Sequence, residues 1–176
     1  DRAFMEKFDP LPAMPAPALP RVRAISEEEG TEPMCGGCGS KVAPEVLRAA
    51  IAGPGDDAAV IRTGVVQQVL SVDHLRGFTE DFGLMARIAA LHALGDIWAM
   101  GARPQAALVS VTLPRMTEAL QARSMAEIMA AVRAVMAEEG AEIVGGHSNM
   151  GAELSLGFSL SGLLDRTPIM LAGAQA

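Results

Sequence analysis

The sequence runs to 176 residues, half of them apolar but only 3% aromatic, with a mean hydropathy of +0.27 and a formal net charge of −7. That length suits one domain plus an extra segment, its core built from Ala, Val, Leu, Ile and Met. The charge argues against nucleic acid as a partner, and no apolar run reaches the ~18–20 residues that insert across a bilayer.

The chain opens on Asp1 rather than Met, which reads as a piece of a longer protein. Prolines crowd its first 33 residues (Pro10, Pro12, Pro15, Pro17, Pro20 and Pro33), and SEEEGTEP at 26–33 is acidic. Residues 1–34 are therefore expected to be an extended, unfolded linker behind the tail of a preceding element, with order starting near Pro44. VAPEVLRAAI (42–51) reads as a short amphipathic helix that tolerates Pro44 in its first turn. Residues 58–73 read as a hairpin turning near Thr63-Gly64, its second strand ending at Asp73. Residues 81–101 form a long helix, apolar nearly all round and hence buried, with Gly101 as its stop. A strand over 106–114 is closed by Pro114. A helix over 117–139 carries Leu120, Met125, Ile128, Met129, Val132, Val135 and Met136 on one stripe and ends at Gly140. AEIVGG (141–146) is a strand entering a glycine turn. Residues 153–164 alternate Leu154, Leu156, Phe158, Leu160 and Gly162 against a serine-rich face. The order β-β-α-β-α-β-β predicts an α+β fold, two long helices on one face of a mainly antiparallel sheet. The second face needs a cover, and a second subunit is one candidate.

Four stretches carry candidate chemistry. GPGDDAAV (53–60) sets Gly55, Asp56 and Asp57 at the mouth of a strand, a pattern that suits a hard cation and also an ordinary acidic turn. Asp73 closes an apolar strand. Asp96 sits in a helix beside Ile88, Leu94, Ile97 and Trp98, where an unpaired carboxylate is costly. Together Asp57, Asp73 and Asp96 can hold Mg²⁺ with phosphate oxygens. GGHSNMG (145–151), after a strand, offers Gly146, His147 and Ser148 as an anion-binding backbone nest or a plain turn.

The only cysteines, Cys35 and Cys38, lie in PMCGGCGSK (33–41). Two cysteines without a secretory signal fit a reducing, cytoplasmic setting rather than a disulfide framework. A structural zinc site lacks its second ligand pair, and a thioredoxin-like pair belongs at a helix start in a βαβ unit. GGCGSK does not satisfy the P-loop pattern. A thiol nucleophile on a flexible arm, or no role, remains.

CGSKVAPEVL, GDDAAVI, SVD, RIAALHALGDIWAMGARP and GGHS together resemble the amino-terminal half of selenophosphate synthetase (selenide, water dikinase), over about residues 36–172. Sister families with the same ATP-binding fold include aminoimidazole ribonucleotide synthetase, thiamine-monophosphate kinase and the hydrogenase-maturation dehydratase. The resemblance implies an ATP-binding domain at 35–172 that pairs into a dimeric β-barrel, without the family's carboxy-terminal domain. It implies selenide, ATP and water as substrates, with selenophosphate, AMP and phosphate as products. Cys38 matches the catalytic cysteine and Lys41 the essential lysine. Asp57, Asp73 and Asp96 match acidic residues that hold Mg²⁺ and phosphates; Gly55, Asp56, Gly146, His147 and Ser148 match the ATP site. Ser40 replaces a frequent second cysteine, Cys35 is an extra thiol, and His92 stands where asparagine is usual. DRAFMEKFDPLPAM is similar to the tail of an NADH-dehydrogenase-like flavoprotein, so FAD would belong to a fused upstream domain and not to this chain. The fragment alone is expected to be inactive. Rival readings are another ATP-dependent enzyme of the superfamily and a non-catalytic dimerisation or nucleotide-sensing module.

Overall fold

A computed structural model of the protein describes residues 41–51, 56–170 and 173. The expected linker at 1–34, together with Cys35, Cys38 and Gly55, lies outside the described residues. The elements are α1 (Pro44–Ala50), β1 (Ala59–Thr63), β2 (Val66–Arg76), α2 (Phe82–Ala99), β3 (Arg103–Pro114), α3 (Glu118–Glu138), β4 (Glu142–Gly151) and β5 (Ser155–Leu164). From β1 onward this is the order that the alternating periods predict.

Each long helix has a local reason to start and stop where it does. Asp81 caps α2 by accepting a hydrogen bond from the Leu84 N–H at 2.8 Å, and Thr117 caps α3 toward Leu120. A second carboxylate reaches the start of α2 from its neighbour, where Glu127 Oε1 of α3 accepts from the Gly83 N–H at 3.2 Å. Both carboxylates meet the positive end of the helix dipole, so they join the two helices while capping one of them. Both helices end on a glycine with positive φ, Gly101 at 72° and Gly140 at 71°. The next residue then bonds back across the turn, Ala102 N–H to Ile97 and Ala141 N–H to Met136, which satisfies otherwise orphaned carbonyls.

The five strands lie in the order β1-β2-β5-β3-β4. The β1–β2, β2–β5 and β5–β3 pairings are antiparallel. The β3–β4 pairing is parallel, because α3 returns the chain to the end where β3 began. The sheet is therefore mixed and open, which qualifies the mainly antiparallel expectation; β4 and β1 are its edges.

One sheet face packs on the helices. Val69 and Leu75 of β2, Ala107, Val109, Val111 and Leu113 of β3, and Leu156, Phe158 and Leu160 of β5 are all buried there. They meet Met85, Leu94 and Ile97 of α2 and Ile128, Val132 and Val135 of α3. Ala86, Ala89, Ala90 and Ala93 are also buried, and their small side chains suit a helix seated close to its neighbours. Leu84 and Trp98 remain exposed, so α2 is not buried all round. The other sheet face has no layer over it among the described residues, and Leu70, Val72, Leu108 and Val144 are exposed there. The short helix α1 forms with Pro44 at its start but buries none of its residues; Val46 and Leu47 are exposed.

Candidate functional site

Strand β2 runs three residues beyond Asp73, so that aspartate lies inside the strand and not at its end. The register sets Asp73 opposite Phe158 and Ser71 opposite Leu160, which turns both polar side chains toward the helices. There they meet α2. Asp73 Oδ2 lies 3.0 Å from His92 Nε2, and its side chain is only 11% exposed. Asp73 Oδ1 accepts from the His74 backbone N–H at 2.9 Å. Two residues back on the strand, Ser71 donates to Asp96 Oδ2 at 2.5 Å, a short bond of the kind a charged acceptor makes. The strand period of two and the helix period near four bring these residues together: Ser71 and Asp73 on β2 oppose His92 and Asp96 on α2. Sequence reasoning singled out both aspartates but gave no role to Ser71 or His92. The usable signal was spacing, a polar pair at i,i+2 in an apolar strand and another at i,i+4 in an apolar helix.

Asp57 does not complete a cluster with these two. It is exposed before β1, its backbone N–H bonded to Asp56 Oδ1 at 3.0 Å. Among the described residues no three carboxylate, imidazole or thiol groups converge on one point. The donor set at the β2–α2 seam nevertheless fits Mg²⁺. That ion takes one or two protein carboxylates and fills its other positions with water and phosphate oxygens. Asp73 and Asp96 would hold it. Lys41 is exposed just ahead of α1.

The glycine turn expected at 145–151 is not a turn. Strand β4 continues through it to Gly151, paired residue by residue with β3 from Leu108 opposite Gly145 to Pro114 opposite Gly151. Gly146 is needed because a Cβ there would overlap the Val109 carbonyl. Extended backbone replaces the expected nest, on a strand that is an edge of the sheet among the described residues. Strand alternation also separates two residues expected to act together. His147, opposite Ser110, looks onto the open face, where a cavity of 330 Å³ is lined by Val72, His74, Leu108, Ser110 and Ser159. Ser148, opposite Val111, looks to the helix side and a groove of 490 Å³ beside Met125 and Met129. Ser148 thus shares a sheet face with Asp73, three strands away and two residues beyond Gly146, which stands in line with Asp73.

The family model for AIR synthase related protein, N-terminal domain, matches residues 55–164. The selenide, water dikinase of Burkholderia ambifaria is 33% identical over 164 residues, covering 84% of this chain and 44% of that protein. That of Geobacter metallireducens is 39% identical over 110 residues, covering 62% and 32%. The chain thus spans less than half the length of these curated relatives. Among solved structures, AaThiL complexed with AMPPCP and TMP superposes with a TM-score of 0.66 at 20% identity, covering 74% of this chain and 43% of that one. Thiamine monophosphate kinase from Aquifex aeolicus gives 0.61 at 18%, covering 69% and 42%. At those identities the structures establish the shared fold.

Proposed function

The chain belongs to the AIR synthase related family through its amino-terminal domain, and on that premise we propose that it is the ATP- and Mg²⁺-binding half of an enzyme making selenophosphate from selenide. The observation that carries the reading is the β2–α2 seam, where Asp73, largely withdrawn from water, faces His92 and part-buried Asp96 accepts a hydrogen bond from Ser71, in a chain similar to selenide, water dikinases. Selenide, ATP and water give selenophosphate, AMP and phosphate. Cleaving a triphosphate twice builds negative charge on its oxygens, and Mg²⁺, when bound, neutralises part of it.

The residues divide that work. Asp73 and Asp96 would hold the cation against the phosphates, while Asp57, exposed before β1, is not clustered with them. Gly55, Asp56, Gly146 and Ser148 line the nucleotide's path, the last two from the helix-facing side of the edge strand β4, while His147 looks to the open face. Cys38 handles selenium as a thiolate, and Lys41 offsets phosphate charge beside it. Residues 35–172 form this domain, 1–34 connect it to an upstream flavoprotein, and a second domain completes the site. Two copies pair through the open sheet face into a barrel, in the cytoplasm.

Phosphorus NMR of the full-length protein with ATP, Mg²⁺ and selenide tests the proposal. A selenophosphate resonance appearing with AMP and phosphate supports it. Formation of ADP without any selenium-coupled signal assigns the domain to a kinase of another nucleophile. Nucleotide binding without turnover assigns it to a non-catalytic sensing module.

A further inference from the structure

Strand alternation takes His147 away from the nucleotide's side of β4 and leaves it without a role, but the register gives it neighbours on the open sheet face. His74 of β2 lies opposite Gly157 of β5, Gly157 opposite Ser110 of β3, and Ser110 opposite His147 of β4. One row across four strands therefore carries two imidazoles and a hydroxyl, its ends about 14 Å apart at the backbone. The middle of that row is hollow. A Cβ at Gly157 would stand 2.8 Å from His74 Nδ1 and 3.5 Å from Ser110 Cβ. The His74 ring thus leans off its own strand across β5, into space that any side chain at 157 would fill. This is the 330 Å³ cavity, bordered on one side by Val72 and Leu108. Asp73 also borders it, but the register turns that carboxylate toward the helices, so no acidic side chain faces the imidazoles from the cavity wall.

We propose that this row binds a compact oxyanion of the phosphate class, held between His74 and His147 over the Ser110 hydroxyl. An imidazole keeps at least one ring N–H whether neutral or protonated, and a serine hydroxyl also donates. Among the described residues none of these three side chains has a hydrogen-bond partner within the protein. Three donors from three strands are therefore free to serve one space. A tetrahedral oxyanion presents acceptors on every side, and its charge strengthens each bond it accepts. A volume of 330 Å³ lies at the small end for ligand sites, which suits an ion of this size. His74 and His147 are both exposed, so the ion can enter from solvent. The site is separate from the β2–α2 seam, and its failure would leave the reading of Asp73 and Asp96 untouched.

The test titrates the full chain with inorganic phosphate at fixed pH, with chloride holding the ionic strength constant, and follows the histidine ring signals by NMR. The chain has three histidines, and His92 on α2 serves as the internal control. The His74 and His147 signals should move along one binding curve while that of His92 stays in place. His74→Phe and His147→Phe, each lacking one donor to the ion, should bind phosphate about tenfold more weakly or worse. Gly157→Ala keeps both imidazoles but fills the hollow between them, and it should weaken binding too; an unmoved His92 signal shows that the fold is kept. Three histidine signals moving alike, no movement at all, or either phenylalanine variant binding phosphate as the unsubstituted chain does would overturn the proposal. A parallel titration with AMPPCP identifies the source of the oxyanion. Competition with phosphate for the row makes it a nucleotide's terminal phosphate, and no competition makes it the free ion.

Discussion

Asp96 brings a charge into a helix whose buried positions are alanine, leucine, isoleucine and methionine, and the Ser71 hydroxyl meets it. Asparagine at 96 keeps an oxygen for that hydroxyl but loses the charge. Asp96→Asn in the full-length protein should therefore keep its unfolding free energy within about 1 kcal/mol while Mg²⁺-dependent ATP turnover disappears. Unfolding of the variant, with no Mg²⁺ dependence in the parent, would make Asp96 a structural residue only. Glu153 is charged for a different reason. The Arg76 guanidinium, hydrogen-bonded to it at 2.6 Å, holds its carboxyl below the usual range, and the contact clasps the end of β2 to the start of β5. A carboxylate lowered in the fold adds stability above its unfolded pKa and loses it as pH falls through the folded value. Glu153→Gln should accordingly melt slightly below the unsubstituted chain at neutral pH, and the gap should close in scans taken well below pH ~4. A gap that persists in acid would mean that shape, not charge, makes the contact. The two aspartates were legible in the sequence because carboxylates among apolar residues are expensive. Ser71 and His92 were not, because their partners are set by how a strand and a helix meet, which no local pattern records.

At the scale of elements, the helices and β5 follow from periodicity and caps, and β4 is where that reasoning fails. Two glycines, an asparagine and a third glycine between 145 and 151 are turn residues by local chemistry. They form a strand because β3 presents a full ladder to pair with, and because Gly146 must approach Val109 more closely than any side chain permits. Local glycine content cannot distinguish a turn from a close approach; only the neighbour can. Gly146→Ala should therefore push β4 off β3 and cost about 1–3 kcal/mol in urea unfolding, with faster amide exchange in the paired residues from Ser148 to Met150. Exchange and stability unchanged by that substitution would show that the ladder yields to a methyl group without loss. Helix α1 forms where its pattern places it, with Pro44 in the first turn, but without the buried face that an amphipathic pattern implies. Its apolar spacing is real, but among the described residues nothing buries Val46 and Leu47 of this seven-residue helix.

At the scale of the whole molecule, the described residues put a helical layer on one side of the sheet and none on the other. On the open side Val72 is 77% exposed, and Leu70, Leu108 and Val144 are exposed around it. Their strands β2, β5, β3 and β4 lie next to one another, so these side chains form one patch with the serines of β5 between them. Contiguous apolar patches of this kind mark association sites, and a self-complementary sheet face gives a closed two-fold dimer. Burying Val72 against a second copy would contribute about 1.5–3 kcal/mol per side chain. The full chain should then show a dimer mass by light scattering at tens of micromolar. Val72→Lys should return it to monomer, since a lysine facing its own image in an apolar interface is both desolvated and repelled. Arg115→Glu, an exposed change after the end of β3 and away from this patch, should leave the dimer intact. A monomer for the unsubstituted chain, or a dimer that survives Val72→Lys, would show that this face does not hold two copies together.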